Sequence, residues 1–209
     1  MTACALWVAG VYVAASVNFS ILVLAVLGKG DPRSRFSGNA GTTNVYRMAG
    51  LFWAATVLLL DVGRAVAVAV LGASFLPPEE VPWLGLSLVA GNRFPCFHGF
   101  RGGKGVASYL GFVGALAPWA ALLAMALWVA VFALVRIPFA GSLIMIAALA
   151  AGESLVVGQT AGAAVAVAAT VLLILEGHRR NIREVLQGRK REASGPDAGS
   201  GAVSGGGKP

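Results

Sequence analysis

The sequence predicts an all-α integral membrane protein of about seven short transmembrane helices, with the N-terminus outside and the C-terminus cytoplasmic. Three observations carry this expectation. Of the 209 residues, 57% are hydrophobic and only 12% are charged, against roughly 25% charged in soluble domains, so there is too little charge to coat a water-soluble globule. Mean hydropathy is correspondingly high, at +0.79. Stretches such as Leu51 to Leu60 and Ala161 to Leu175 carry no charge at all, which suits a chain solvated by lipid. Finally, nearly all of the 16 Lys and Arg fall into groups at alternate ends of the apolar stretches. The polar breaks at the other ends hold Glu79, Glu80 and Glu153 and no base. That is the positive-inside pattern, with every basic group on one side.

The elements follow from that rule. A first crossing at roughly 4 to 27 has no basic residue ahead of it, so it lacks the charged start of a cleavable signal peptide. A second, at 50 to 73, contains Asp61 and Arg64, the one base outside the groups. They lie three residues apart on one helix face, where each lone charge would cost about 2.5–3.5 kcal/mol. They are expected to pair, as a structural ion pair rather than a direct substrate contact. A third crossing is placed at 81 to 97. One helix from Gly105 to Val135 would be about 46 Å long and would put Lys104 and Arg136 on opposite faces. Two crossings, 104 to 117 and 119 to 135, turning at Pro118, keep both inside. The same logic splits the remaining apolar sequence at Gly152-Glu153 into 140 to 153 and 159 to 176. Several of these fall short of the usual ~20 residues, which implies tilt, local thinning or half-buried loops. Residues 1–187 form the membrane domain, and the Gly/Ser/Lys-rich residues 188–209 are expected to be a disordered cytoplasmic tail.

Several function classes lack their parts. A net charge of +7 is explained by basic cytoplasmic loops, and no basic stripe with interleaved aromatics points to nucleic acid. Cys4 and Cys96 belong to no CxxC or Cys/His cluster, so no disulfide framework, metal site or cofactor is expected. HExxH, GxSxG and paired carboxylates at catalytic spacing are all missing.

The unusual sequence lies on the basic side. SGNAGTTNVYR, from Ser37 to Arg47, combines glycines that let successive N–H groups share a concavity with hydroxyl and amide donors, just before a helix. Such a segment suits a phosphate or another anion. GNRFPCFHGFRGGKGVAS, from Gly91 to Ser108, is only superficially a P-loop, because Gly105 stands where Ser or Thr should follow Lys104. It reads equally as a glycine turn presenting Lys104 to phosphate and as a basic juxtamembrane loop on lipid headgroups. EGHRRNIREVLQGRKR, from Glu176 to Arg191, reads as an amphipathic interfacial helix with His178 and Asn181 at helical spacing. Ser142 lies at the inner end of a crossing, where spacing alone favours a helix-packing serine.

Together these segments resemble the acyl-phosphate:glycerol-3-phosphate acyltransferases, the PlsY family of bacterial phospholipid synthesis. The family patterns run approximately GSGNxGATNVxR, GHxFPxFxxFKGGKGVA and HRxNIxRLxxG. Here they stand as FSGNAGTTNVYR, GNRFPCFHGFRGGKGVA and HRRNIREVLQG, in the same order over nearly the whole chain. The resemblance implies a seven-helix enzyme of the bacterial inner membrane with its active site facing the cytoplasm. Its implied reaction is acyl transfer from acyl phosphate to the 1-hydroxyl of sn-glycerol 3-phosphate, giving lysophosphatidic acid and phosphate, with membrane lipid as the third partner. Motif matching puts His178, Lys104 and Arg47 in catalytic positions. It puts Ser37, Gly38, Asn39, Gly41, Thr43, Asn44, Gly102, Gly103, Ser142 and Asn181 against substrate, Ser142 through a less regular segment. Direct attack by the glycerol hydroxyl is expected, its proton going to the substrate's own phosphate or to His178. Asn92 replaces the family's His, Phe36 a Gly, Arg101 a Lys, Glu184 an Arg, and Asn18 the Pro of an upstream GSIPFG-like stretch. The alternatives are a divergent low-activity paralogue and a transporter or binding protein for a small phosphorylated anion; no inverted repeat supports the transporter.

Overall fold

A computed structural model describes residues 2–157 and 159–193. Among them there is no strand. The helices are α1 (Thr2–Ala15), α2 (Phe19–Val26), α3 (Thr42–Ala49), α4 (Leu51–Phe75), α5 (Val81–Arg93), α6 (Val106–Leu116), α7 (Pro118–Val135), α8 (Pro138–Val156) and α9 (Ala161–Ala193). Short 3₁₀ turns at Pro32–Ser34 and Cys96–His98 lie in the loops. Among the described residues five segments are long and apolar enough to cross a membrane: Ala3–Val26, Leu51–Phe75, Pro118–Val135, Pro138–Val156 and Ala161–Val185. α5 and α6, with 13 and 11 residues, fall short of the ~20 that span a bilayer unaided.

The chain divides into two compact units, Met1–Gly177 and a second that begins at His178, inside α9. In the first unit α6 is the hub, packed against α4, α5, α7 and α8. Its Tyr109, Phe112 and Val113 are fully buried in the main core with Leu84, Leu88, Ile146 and Leu149. α6 approaches α4 closely because Gly111 has no side chain; a Cβ there would lie 2.7 Å from the Val62 carbonyl oxygen. Such backbone proximity through small residues drives helix association in lipid, where the hydrophobic effect gives no help. A smaller core of Leu24, Val45, Ala54 and Val57 seats α2 and α3 on α4, so the first motif is carried on packed helices.

The expected first crossing is broken. Ser16 to Asn18 interrupts it, and the Asn18 side chain caps α2 by accepting from the Ile21 N–H at 3.1 Å. The carbonyls freed at the break are met from α4. Arg64 Nη1 donates to the carbonyl oxygens of Val17 at 2.6 Å, Ala14 at 3.2 Å and Ala15 at 3.4 Å. Its Nη2 pairs with Asp61 at 2.9 Å, and the Phe19 ring lies under its guanidinium, 4.8 Å from carbon to centroid. The expected ion pair is therefore present, and it doubles as the cap of a fractured helix.

Glu153, read from sequence as marking a polar turn, is instead buried within α8 and accepts a hydrogen bond from Tyr109 Oη at 2.7 Å. α9 also departs from expectation: the last crossing and the amphipathic segment after it form one continuous helix through Gly188 to Ala193. From residue 194 on, the expected tail lies outside the described residues.

Candidate active site

The first motif is a turn held from within and opened at its end. Asn44 is buried at the start of α3, where its Nδ2 donates to the carbonyls of Pro32 and Arg35, both at 3.0 Å. Its Oδ1 accepts from Ser37 Oγ at 3.0 Å. Asn44 thus shapes the turn and fixes the Ser37 hydroxyl, whose lone pairs stay available. Gly38 and Gly41 donate their N–H groups to the Arg35 and Asn39 carbonyls. Gly41 also stands at the cap of α3 with no side chain to occupy the helix's first amides, so those donors and the positive helix end face outward beside exposed Thr43. Asn39 folds over this cap: its Nδ2 lies 2.9 Å from where a Gly41 Cβ would sit. Arg47, one turn beyond Asn44, is exposed, with its guanidinium carbon 5.8 Å from the Phe36 ring centroid.

The second motif folds back on the end of α5. Gly103 N–H donates to the Asn92 carbonyl at 2.9 Å and Gly102 N–H to the Arg93 carbonyl at 3.0 Å. Both amides are therefore committed to the chain, and these glycines shape the loop. A Cβ on Gly103 would come 2.5 Å from Asn92 Oδ1 and 2.8 Å from the Ala40 carbonyl. Only glycine fits where the two motifs meet. Lys104 follows at once, half-buried, and its side chain runs beside Gly177, 3.4 Å from where a Cβ would sit there. Next to it Arg93 holds Glu176 at 2.8 Å.

Residues on the approach to the first motif strengthen the join. Arg33 pairs with Asp31 at 2.7 Å and donates to the carbonyls of His98 and Arg101. This guanidinium holds the Asp31 carboxyl below the usual carboxylate range. Burial, reinforced by the Arg33 charge and opposed by Asp31, lowers the His98 pKa, and Nε2 accepts from the Asn18 N–H at 3.4 Å. Asp31, Arg33, Ser34, Phe97, His98, Gly99 and Arg101 line an open cavity of about 660 Å³. The sequence reading did not single out Asp31 or Arg33 as site-forming. The available signal was their position, an acid and a base two residues apart just ahead of the glycine-rich turn.

The structure thus brings Ser37, Gly38, Asn39 and Gly41 into one turn, with Thr43, Asn44 and Arg47 on the helix that follows it, and sets Gly103 of the second loop against it through Ala40. Ser142 donates to the Pro138 carbonyl at 3.2 Å and accepts from Trp128 Nε1 at 3.3 Å, which ties α8 to α7. His178 and Asn181 lie one turn apart on α9 in the second unit, where Arg180 and Glu184 form an exposed pair at 2.8 Å. Among the described residues no group of three His, Cys, Asp or Glu could hold a metal ion. One turn rich in outward donors and one loop carrying a lysine, joined at a backbone contact, form a surface suited to phosphate groups.

Comparison with known proteins gives the same direction. The glycerol-3-phosphate acyltransferase family profile matches residues 5–188. The glycerol-3-phosphate acyltransferase of Pseudomonas syringae pv. tomato is 39% identical over 181 residues, covering 86% of this chain and 93% of that protein. The protein of the same name from Laribacter hongkongensis is 38% identical over 190 residues, covering 88% and 93%. The crystal structure of PlsY (YgiH), an integral membrane glycerol 3-phosphate acyltransferase, superposes in its glycerol 3-phosphate form with a TM-score of 0.81. It is 31% identical and covers 90% of this chain and 94% of its own. The lysophosphatidic acid form gives a TM-score of 0.78 at 30% identity, covering 90% and 93%.

Proposed function

The chain belongs to the glycerol-3-phosphate acyltransferase family, and from that premise we propose that it carries an acyl group from acyl phosphate to the 1-hydroxyl of sn-glycerol 3-phosphate. The products are lysophosphatidic acid and inorganic phosphate. Its place is the bacterial inner membrane, with α5 and α6 completing seven crossings, the N-terminus outside and the site facing the cytoplasm. The positive-inside arrangement of the bases supports that orientation.

The observation that supports the reading is the junction of the two motifs, where the Ala40 carbonyl approaches Gly103, the residue just before Lys104. Both substrates are phosphates. Arg47 offers a fork that fits phosphate oxygens in pairs, and Lys104 a point charge beside them. Asn39, Gly41 and Thr43 surround the open end of α3, and Ser37, held by Asn44, presents its lone pairs to a substrate hydroxyl. Gly38, Gly102 and Gly103 give the two turns their shape. His178 and Asn181 are assigned to phosphate or to the migrating proton on the family pattern. Ser142 is read as a packing residue.

Acyl phosphate is a mixed anhydride with a good leaving group, so orientation and charge neutralisation supply the barrier reduction and no protein nucleophile is required. The 1-oxygen of glycerol 3-phosphate bonds to the acyl carbon as the bond from that carbon to the phosphate oxygen breaks. The hydroxyl proton passes to the phosphate of glycerol 3-phosphate, whose second pKa is about 6, or to His178, with a reference pKa of about 6.5. The test is turnover of palmitoyl phosphate and glycerol 3-phosphate by the purified protein. Equimolar lysophosphatidic acid and phosphate are expected, with no acyl-protein species. Product formed only from acyl-CoA or acyl carrier protein, or a covalent acyl-protein intermediate, would contradict this reaction.

A further inference from the structure

Phe36 lies between the Pro32–Ser34 turn and Ser37 with φ of 51°. That left-handed backbone is free for glycine and costly for an aromatic residue. Burial does not compensate, because the side chain is largely exposed. What the ring does is lie beneath Arg47, with the guanidinium carbon 5.8 Å from its centroid. Four of the described arginines are paired with acids, Arg33 with Asp31, Arg64 with Asp61, Arg93 with Glu176 and Arg180 with Glu184, and of these Arg64 and Arg93 also lie over a ring, Phe19 and Phe94. Among the described residues Arg47 has no carboxylate partner.

The difference matters for an arginine that meets phosphate. A carboxylate orients a guanidinium but cancels its charge and occupies its in-plane donors. A ring face orients it from above or below the plane, leaving the charge and the N–H fork open. We infer that Phe36 is a positioning residue for the acyl-acceptor site: its ring holds the Arg47 guanidinium oriented, so that less side-chain freedom is lost when the phosphate of sn-glycerol 3-phosphate binds. The inference rests on the reading of Arg47 as a ligand of that phosphate.

Steady-state kinetics with glycerol 3-phosphate varied test it, on Phe36→Gly, Phe36→Leu and Phe36→Tyr. The Gly and Leu variants should raise KM for glycerol 3-phosphate about three- to tenfold with kcat within about twofold, and Tyr should restore the wild-type KM. Phe36→Gly relaxes the backbone, so its thermal midpoint should equal or exceed that of the wild type, which separates the KM effect from misfolding. In an Arg47→Gln background the added Phe36→Gly should move KM no further. Wild-type KM in Phe36→Gly, beside an impaired Arg47→Gln, overturns the inference alone. Full rescue by Leu overturns the cation–π basis of it. Wild-type KM in Arg47→Gln overturns the assignment of Arg47, and the inference with it.

Discussion

Arg64 and Arg47 carry the same guanidinium into two different settings. Arg64, on α4, gives its terminal nitrogens to three carbonyls at the α1–α2 break and to Asp61, and is only 11% exposed at its side chain. Arg47, on α3, stands exposed with an aromatic face beneath it and no acid beside it among the described residues. One charge is consumed by the protein's own backbone and the other is left over. In a membrane protein, where each charge is costly, the distinction between scaffold and site is drawn by what a charge already touches. Motif residues divide the same way. Asn44 and the amides of Gly102 and Gly103 are spent internally, while the first amides of α3 are carried on the structure those bonds make.

The largest effect expected from this comparison is on Arg64. Arg64→Ala strands a buried carboxylate and uncaps a helix break, which should cost about 3–5 kcal/mol of stability, read as a lowered unfolding midpoint in detergent. Arg47→Ala should leave that midpoint within a degree or two and lower kcat/KM by about 10²–10³. Ser142→Ala is expected to remove about 1 kcal/mol of α7–α8 packing and leave kcat/KM unchanged; a large loss of activity there would move Ser142 to the side of Arg47. The smallest effect concerns His98, whose folded pKa is lowered by burial and by Arg33. The unfolded chain takes a proton near pH 6.5 and the folded one resists it. Stability should therefore fall as pH drops below about 6.5, until the folded His98 titrates. His98→Gln should flatten that slope while leaving the alkaline limb untouched.

Much of this architecture was legible in the sequence. The turn at Pro118, the long helices at 51–75 and 118–135 and the Asp61–Arg64 pair follow from charge, apolar length and three-residue spacing. The break at Ser16 to Asn18 was not legible, because no Pro or Gly marks it and its compensation comes from Arg64, distant in sequence. The burial of Glu153 is hidden for the same reason: its partner Tyr109 is on another helix. The continuity of α9 across Glu176 was hidden because apolar composition ends there while helix propensity does not. Within the motifs, spacing alone does not show how the residues divide between shaping the turn and being presented by it. Asn44 and Arg47 stand in one motif, and only the hydrogen bonds separate the residue that shapes the turn from the one it presents.

The most direct measurement is acyl transfer to glycerol 3-phosphate, per folded molecule, in Arg64→Ala and Arg47→Ala, with the folded fraction of each established at low temperature. Arg64→Ala is expected to keep near-wild-type activity per folded molecule despite its lowered midpoint, and Arg47→Ala to keep normal stability while its kcat/KM falls about 10²–10³. An Arg47→Ala of near-wild-type kcat/KM, or a folded but inactive Arg64→Ala, would contradict this.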